Sequence, residues 1–342
     1  MKGSTKFTNC ARTLLLCTIP TLSPTPALAH HSHAEFVGEP QLIAGEITQV
    51  TWNNPHPAMV MKADISGQER ILRVQVLGNV NGLRRDGVTG NEFYSGQPIK
   101  LTAQFSERRD GLILATAAEL VDGTKLALGP YTSEEGAIYG SGTATTDLPK
   151  EAIPDLFRVW TVLERERNYD PPMTADTRRV KQAWDPILDD SQRDCSPLGM
   201  PSAMMSPHPI EFVDQGEKIL LRLEEWNGER TIYMTELDED AIVKSRMGIS
   251  QGHWEESTLV VKTTDIDYPY LDEYGIPQSP EVEVTERFSL REDGRHLDWS
   301  VGISDPLNFT EPFVLSTTTW HWLPGETIQP YDCEPLEDFF DG

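Results

Sequence analysis

Runs of alternating apolar and polar residues, each closed by a turn signal, leave this chain few folds to choose from. Gly45–Trp52 (GEITQVTW), Ala58–Ile65 (AMVMKADI), Arg70–Val76 (RILRVQV), Pro98–Phe105 (PIKLTAQF) and Leu112–Val121 (LILATAAELV) succeed one another near the start. Side chains on a strand point to opposite faces in turn, so a period of two buries one face and wets the other. Between the third and fourth runs, GNVNGLRRDGV has room for a turn or two of helix. Three strands, a helix and two strands is the order of an OB-type barrel. Further on, Ile210–Met234, Gly252–Ile266, Val282–Ser304 and Phe313–Leu323 alternate in the same way. Asp214-Gln215-Gly216, Asn227-Gly228-Glu229 and Glu292-Asp293-Gly294 punctuate them as hairpins. A meander of this length predicts a closed antiparallel barrel of lipocalin type.

The fold class expected is therefore all-β, an OB-like small barrel followed by a lipocalin-like antiparallel barrel. The 342 residues suffice for two ordinary domains. Boundaries are placed at 1–29 for a signal peptide, 30–130 for the OB-like unit, 131–154 for a Gly/Ser/Thr-rich linker and 155–342 for the larger barrel. Ahead of the larger barrel, Asp155–Glu164 reads as a first strand, and the Pro/Asp-rich stretch after it has one candidate helix within Thr174–Leu188.

The start has the grammar of export. Lys2, Lys6 and Arg12 precede a short apolar run, Leu14–Leu22, and Ala27-Leu28-Ala29 is a cleavage signature. The run is too short and too interrupted by proline to cross a bilayer as a helix. A periplasmic or extracellular location after cleavage near Ala29 is expected. Cys10 and Cys17 leave with the leader, and Cys195 and Cys333 remain. In an oxidising compartment such a pair is expected to bond, stabilising by roughly 4–5 kcal/mol in the chain-entropy model. Two unpaired buried thiols are the competing reading. A formal charge of −25 argues against nucleic acid or an anionic membrane as partner. No later run is apolar enough for a transmembrane segment.

Cleavage after Ala29 would expose the sequence HHSHAEF. His30 would then carry a free amine and an imidazole on one residue, a chelating pair. With a second imidazole opposite, the three nitrogens suit Cu(II). His56, stiffened between Pro55 and Pro57, is the leading candidate for that imidazole, with His31 and His33 as alternates and Glu35 as an axial oxygen. Two other readings stay open: a polar leader without a ligand, and another divalent metal such as zinc.

In the second unit, Met204, Met205 and His208 combine soft and nitrogen ligands for Cu(I), or else fill a core. Trp226, Trp254, Trp299 and His321, or Trp320 in place of His321, are candidates to line a barrel that takes a small apolar molecule, unless they are core filler. Glu286 and Arg287 point to opposite faces, so only one of them can enter the barrel. With Asp305, they are candidate buried polar groups and a conceivable general acid or base. No dinucleotide fingerprint, P-loop, zinc-protease helix or nucleophile elbow is present. Asp238–Gly248 has too few ligands in register for a calcium loop.

Two resemblances add to this. Ala29-His30-His31-Ser32 and Trp52-Asn53-Asn54-Pro55-His56, with LRRDGVTGNEFYSGQPIKL and RRDGLILATAAELVDGTKL, resemble a family of small secreted bacterial proteins of unassigned function. DLFRVW, YDPP, CSPLGMP, GHWEESTLVVKTT, VTERF and the closing Cys333-Glu334 resemble exported bacterial lipocalin-like proteins, also of unassigned function. Arg158 stands where that group has glycine. The resemblances imply fold and export, not a reaction. Three functions remain: a binding protein with copper at its mature N-terminus and an apolar-ligand barrel; a copper- or barrel-dependent enzyme acting on a small apolar molecule; and a cell-envelope interaction module without chemistry.

Overall fold

The computed structural model describes residues 33, 35–129, 155–186, 188–190, 192, 195–237 and 243–335. The expected leader, His30, His31 and the expected linker lie outside them. The first unit comprises β1 (Gln41–Thr51), β2 (Ala58–Ile65), β3 (Gln68–Val76), α1 (Val80–Arg85), β4 (Pro98–Phe105), β5 (Leu112–Glu119) and β6 (Lys125–Ala127). β1 pairs with β2 and β4, β2 with β3, and β5 with both β4 and β3, which closes a five-stranded barrel. Its core holds the inward set that the alternation marks, including Met59, Met61 and Ala63 of β2 and Leu72, Val74 and Val76 of β3.

The second unit comprises β7 (Val159–Arg167), α2 (Ala175–Ala183), β8 (Ile210–Asp214), β9 (Lys218–Leu223), β10 (Gly228–Tyr233), β11 (Ile249–Glu255), β12 (Thr258–Thr264), β13 (Glu283–Leu290), β14 (His296–Ser304) and β15 (Phe313–Trp322). The nine strands close in chain order. Helix α2 falls inside the expected stretch and starts at Thr174, whose side chain accepts from the Thr177 N–H.

Both barrels obey a parity rule. Strand directions cannot alternate all the way round a ring with an odd number of members. Each ring therefore has one parallel junction, β3–β5 in the first and β10–β11 in the second. Parallel neighbours need a crossover rather than a hairpin. The first ring supplies it through α1 and β4, the second through the chain between Tyr233 and Ile249. Only two residue pairs, Ile232–Ser250 and Tyr233–Gln251, make the second junction. Alternation shows where strands lie but not their number in a ring, so the expected wholly antiparallel meander gives way at that one seam.

The core of the larger barrel is aromatic. Trp299 stacks on Trp320 at 5.4 Å, Trp320 on Phe288 at 6.1 Å, and Phe212 meets Phe288 edge-on at 5.2 Å. Among them Arg230 and Glu286 form an ion pair that is essentially inaccessible to water. Arg230 also donates to Ser250 Oγ (2.8 Å) and Thr263 Oγ1 (2.7 Å), and Trp299 Nε1 donates to Glu286 Oε1 (3.1 Å).

A strap joins the barrels. After β15 the chain returns to the first unit, where Asn81 Nδ2 donates to the Pro330 carbonyl (3.2 Å). The Asn54 N–H donates to the Asp332 carbonyl (3.0 Å), and the Glu334 N–H donates to the Asn54 carbonyl (2.8 Å). Cys333, in the middle of this strap, is bonded to Cys195.

Candidate functional site

The turn Trp52–His56 between β1 and β2 is held from several sides. Trp52 stacks on Phe93 at 5.3 Å. Its indole lies against Gly90, which has φ +92°, and a Cβ there would fall 2.6 Å from the ring. Glycine alone satisfies both demands. Asn54 is buried, and its Oδ1 accepts from the Val80 N–H at the start of α1 (3.0 Å). His56 follows from this clamped base. Its ring lies against the backbone of Val76–Gly78, and its Nδ1 is buried without a hydrogen-bond partner. Burial pushes its pKa down to about 4, against the pull of the Gly78 carbonyl, and nearby His208 opposes its charge further. The imidazole is therefore neutral at ordinary pH, the state that a metal ligand requires.

His33 approaches from the other side. Its ring centroid is 4.9 Å from that of His56, with the planes at 66°. Gln75, itself buried, places its Nε2 3.1 Å from His33 Nε2. Of the four expected metal ligands, His33 and His56 thus meet, and His30 and His31 lie outside the described residues. Among the described residues, no three His, Cys, Asp or Glu side chains converge on a common metal position. Glu35 is not available as an axial oxygen, because Arg109 and Ser106 occupy its carboxylate. Alternation says nothing about such a clamp, since its members are far apart in the chain. Its effect is to anchor the segment behind His33, with the Glu107 N–H donating to the Glu35 carbonyl (2.9 Å).

The second barrel brings its own groups to this junction. His208 lies 3.9 Å from Glu224 Oε1 and 3.8 Å from Glu225 Oε1, edge-on to Tyr331 at 5.3 Å. Met204 and Met205, its neighbours in the chain, are instead packed in the barrel core. Arg85 of α1 grips Glu224 with both arms, at 2.8 and 2.6 Å, and Glu224 also accepts from the Gln329 N–H (3.0 Å). Burial would raise the Glu224 pKa, but the Arg85 fork and His208 outweigh it and hold it at about 2. Because the folded value lies below the ordinary 4.5, the stability this group contributes is complete above that value. It is lost as pH falls toward about 2. The span corresponds to about 3 kcal/mol. Glu224→Gln is therefore expected to lower stability at neutral pH and to flatten its acid limb. Urea midpoints recorded from pH 6 downward measure this, and an unchanged acid limb would remove Glu224 as its cause.

The four residues expected to line an apolar lumen do not share one wall. Trp299 lies in the aromatic core. Trp226, at the β9–β10 turn with φ +59°, packs on Tyr331 at 5.1 Å beside the first barrel. Trp254 is 46% exposed on β11. His321 is buried opposite His296 on the neighbouring strand, with neither ring nitrogen hydrogen-bonded. Of the acid/base candidates, Glu286 points inward and Arg287 outward to Glu255 (2.8 Å). Asp305 is consumed by a turn, accepting from Ser279 and Asn308. A cleft of about 530 Å³ opens where the β11–β12 and β13–β14 turns meet the start of β7, with Trp254 and Phe288 in its lining. Arg85, Glu224, Gln75 and Arg230 carry no sequence signal, because the partners that define them are brought together only by barrel closure.

A family of unknown function, DUF6152, matches residues 21–116. That span holds the histidine cluster, the Trp52–His56 turn and the barrel strands up to most of β5. No curated protein matches the chain. No helix among the described residues is long and apolar enough to cross a membrane.

Proposed function

We propose that this is an exported binding protein, periplasmic or extracellular, that holds copper at the edge of its first barrel and a small, largely apolar molecule in its second. The observation that carries the metal reading is the meeting of His33 and His56, 4.9 Å apart, with the buried Nδ1 of His56 unpartnered. Two imidazoles leave a Cu(II) ion short of donors. Cleavage after Ala29 would supply the amine and ring of His30. Two residues separate His30 from His33, and the three steps of chain between them span at most about 10 Å. A terminus at His30 would therefore stay within that distance of His33, whose ring already meets His56. Nitrogen donors from a terminus and one or two imidazoles favour copper over calcium or magnesium. The resemblance of the second half to exported lipocalin-like proteins, and the apolar cleft beside Trp254, support the second part of this reading.

Chelation by one residue needs a free amine, so the test lies in the terminus. Mature protein beginning at His30 is expected to bind one Cu(II). One extra glycine before His30, with every side chain retained, should weaken binding by about 10–100-fold, as should His56→Ala. Isothermal titration measures both. Equal affinity of the extended form would show that no terminal chelate exists, and retention by His56→Ala would remove the distant imidazole from the site.

A further inference from the structure

We propose that the cleft at the mouth of the larger barrel is a binding site for a small amphipathic cation, an apolar or aromatic body carrying an ammonium group. The proposal rests on the reading of the second barrel as a binding module and names the ligand class it takes. β10 and β11 run parallel, and β10 begins at the β9–β10 turn that meets the first barrel. The β11–β12 turn therefore lies at the end of the strands away from that turn, and none of the cleft's lining residues belongs to the first barrel. Its volume, about 530 Å³, falls in the range of small-molecule sites.

The floor of the cleft is apolar and continuous with the core. Leu156, Phe157, Phe288 and Leu290 line it, and Phe288 is also the outer member of the Phe288–Trp320–Trp299 stack. Trp254 stands at the edge with 46% of its surface exposed. A large aromatic left half bare beside an apolar hollow gains from a ligand that covers it.

The rim decides the sign of the ligand. Arg291 is the cleft's cation, but its guanidinium donates to Asp298 through Nε and Nη2, at 2.7 Å each. Arg158, the next cation along, lies 4.3 Å over the Trp322 ring and donates to the Gly294 carbonyl (3.1 Å). Asp155 and Glu292 are in the lining, exposed, and in no ion pair among the described residues; Asp155 Oδ1 accepts from the Phe157 N–H (3.0 Å), and its charge acts on Arg158 without a direct ion pair. Among the described residues the lining thus carries two carboxylates and one cation, net acidic, on a chain of charge −25. A carboxylate-headed amphiphile would meet repulsion there. An ammonium meets two carboxylates and the face of Trp254, which attracts cations through its ring quadrupole.

The test uses the mature chain and three probes of one tail length, each below its aggregation concentration: dodecyltrimethylammonium, dodecanol and dodecanoate. The ammonium is expected to bind about 10-fold more tightly than dodecanoate at low salt, and Trp254→Ala to weaken it about 10-fold. Trp254 is a surface residue, so this variant should fold normally, which far-UV circular dichroism checks. Asp155→Asn with Glu292→Gln should bring the ammonium down to the affinity of dodecanol and leave dodecanol unchanged. Dodecanoate binding as tightly as the ammonium, or ammonium binding indifferent to Trp254→Ala, would overturn the proposal. Dodecanol binding through Trp254 while the ammonium fails would overturn the cation alone and leave the binding module standing. Failure of all three probes would overturn both, with the copper titration unaffected.

Discussion

Replacing Cys195 and Cys333 together by serine is expected to lower the unfolding free energy of the larger barrel by about 5 kcal/mol, the loop-entropy value for a crosslink of this span. The bond closes a separation of 138 residues, so its removal frees the chain from β8 to the strap in the unfolded state. Its folded-state consequence is local. Cys333 sits in the strap that pairs with Asn54, between the Asp332 carbonyl and the Glu334 N–H. Losing the bond should loosen that strap before it unfolds either barrel. Two measurements separate the effects. Urea denaturation reads the global loss, and protease cutting between Leu323 and Glu334 under native conditions reads release of the strap. A loss below about 1 kcal/mol would show that the unfolded chain is already constrained by other means. An unchanged cutting rate would show that the hydrogen bonds to Asn54 hold the strap without the bond.

The second large effect lies in the barrel core. Glu286→Ala should destabilise by about 3–5 kcal/mol, because it strands the buried Arg230 guanidinium without a counter-charge. Arg230→Met combined with Glu286→Leu should be close to neutral, since both desolvated charges leave together. Arg287→Ala, one residue further on, should cost no more than about 1 kcal/mol. Its partner Glu255 is half exposed, as it is itself, and surface pairs are weak. Thermal or urea unfolding of the four proteins decides the matter. A Glu286→Ala variant as stable as Arg287→Ala would show that water reaches the pair.

The contrast between Glu286 and Arg287 also shows how far the sequence can be read. That they face opposite ways follows from strand geometry alone, and so does the inward set Leu297, Trp299, Val301 and Ile303 of β14. Which of the two charged residues enters the barrel was decided by a partner 56 positions away. His56 was legible as a special residue from its flanking prolines, and the structure sets His33, one of the two expected alternates, against it. The influence of His208 on His56 was not legible in this way. In the chain it belongs with Met204 and Met205, yet those two enter the core while His208 turns to the interface. The four residues expected around a lumen scattered for the same reason. An aromatic on a strand declares that it has a face to bury, not whether a core, an interface or a cleft will bury it.

What the sequence determined by itself is local and periodic: an all-β chain, the order of strands that makes a five-stranded barrel, the meander of the second unit, and the pairing of Cys195 with Cys333. The strand pattern follows from side-chain alternation and turn chemistry, and the cysteine pairing from the expectation that paired cysteines bond in an oxidising compartment, none of which needs a distant partner. The tertiary structure alone decided the parallel seam in each ring, the buried Arg85–Glu224 and Arg230–Glu286 pairs, the strap at Asn54, and the cleft at the far mouth. Each depends on ring closure or on contact between barrels. The residues involved are ordinary until low dielectric, a fixed partner and excluded water act on them at once.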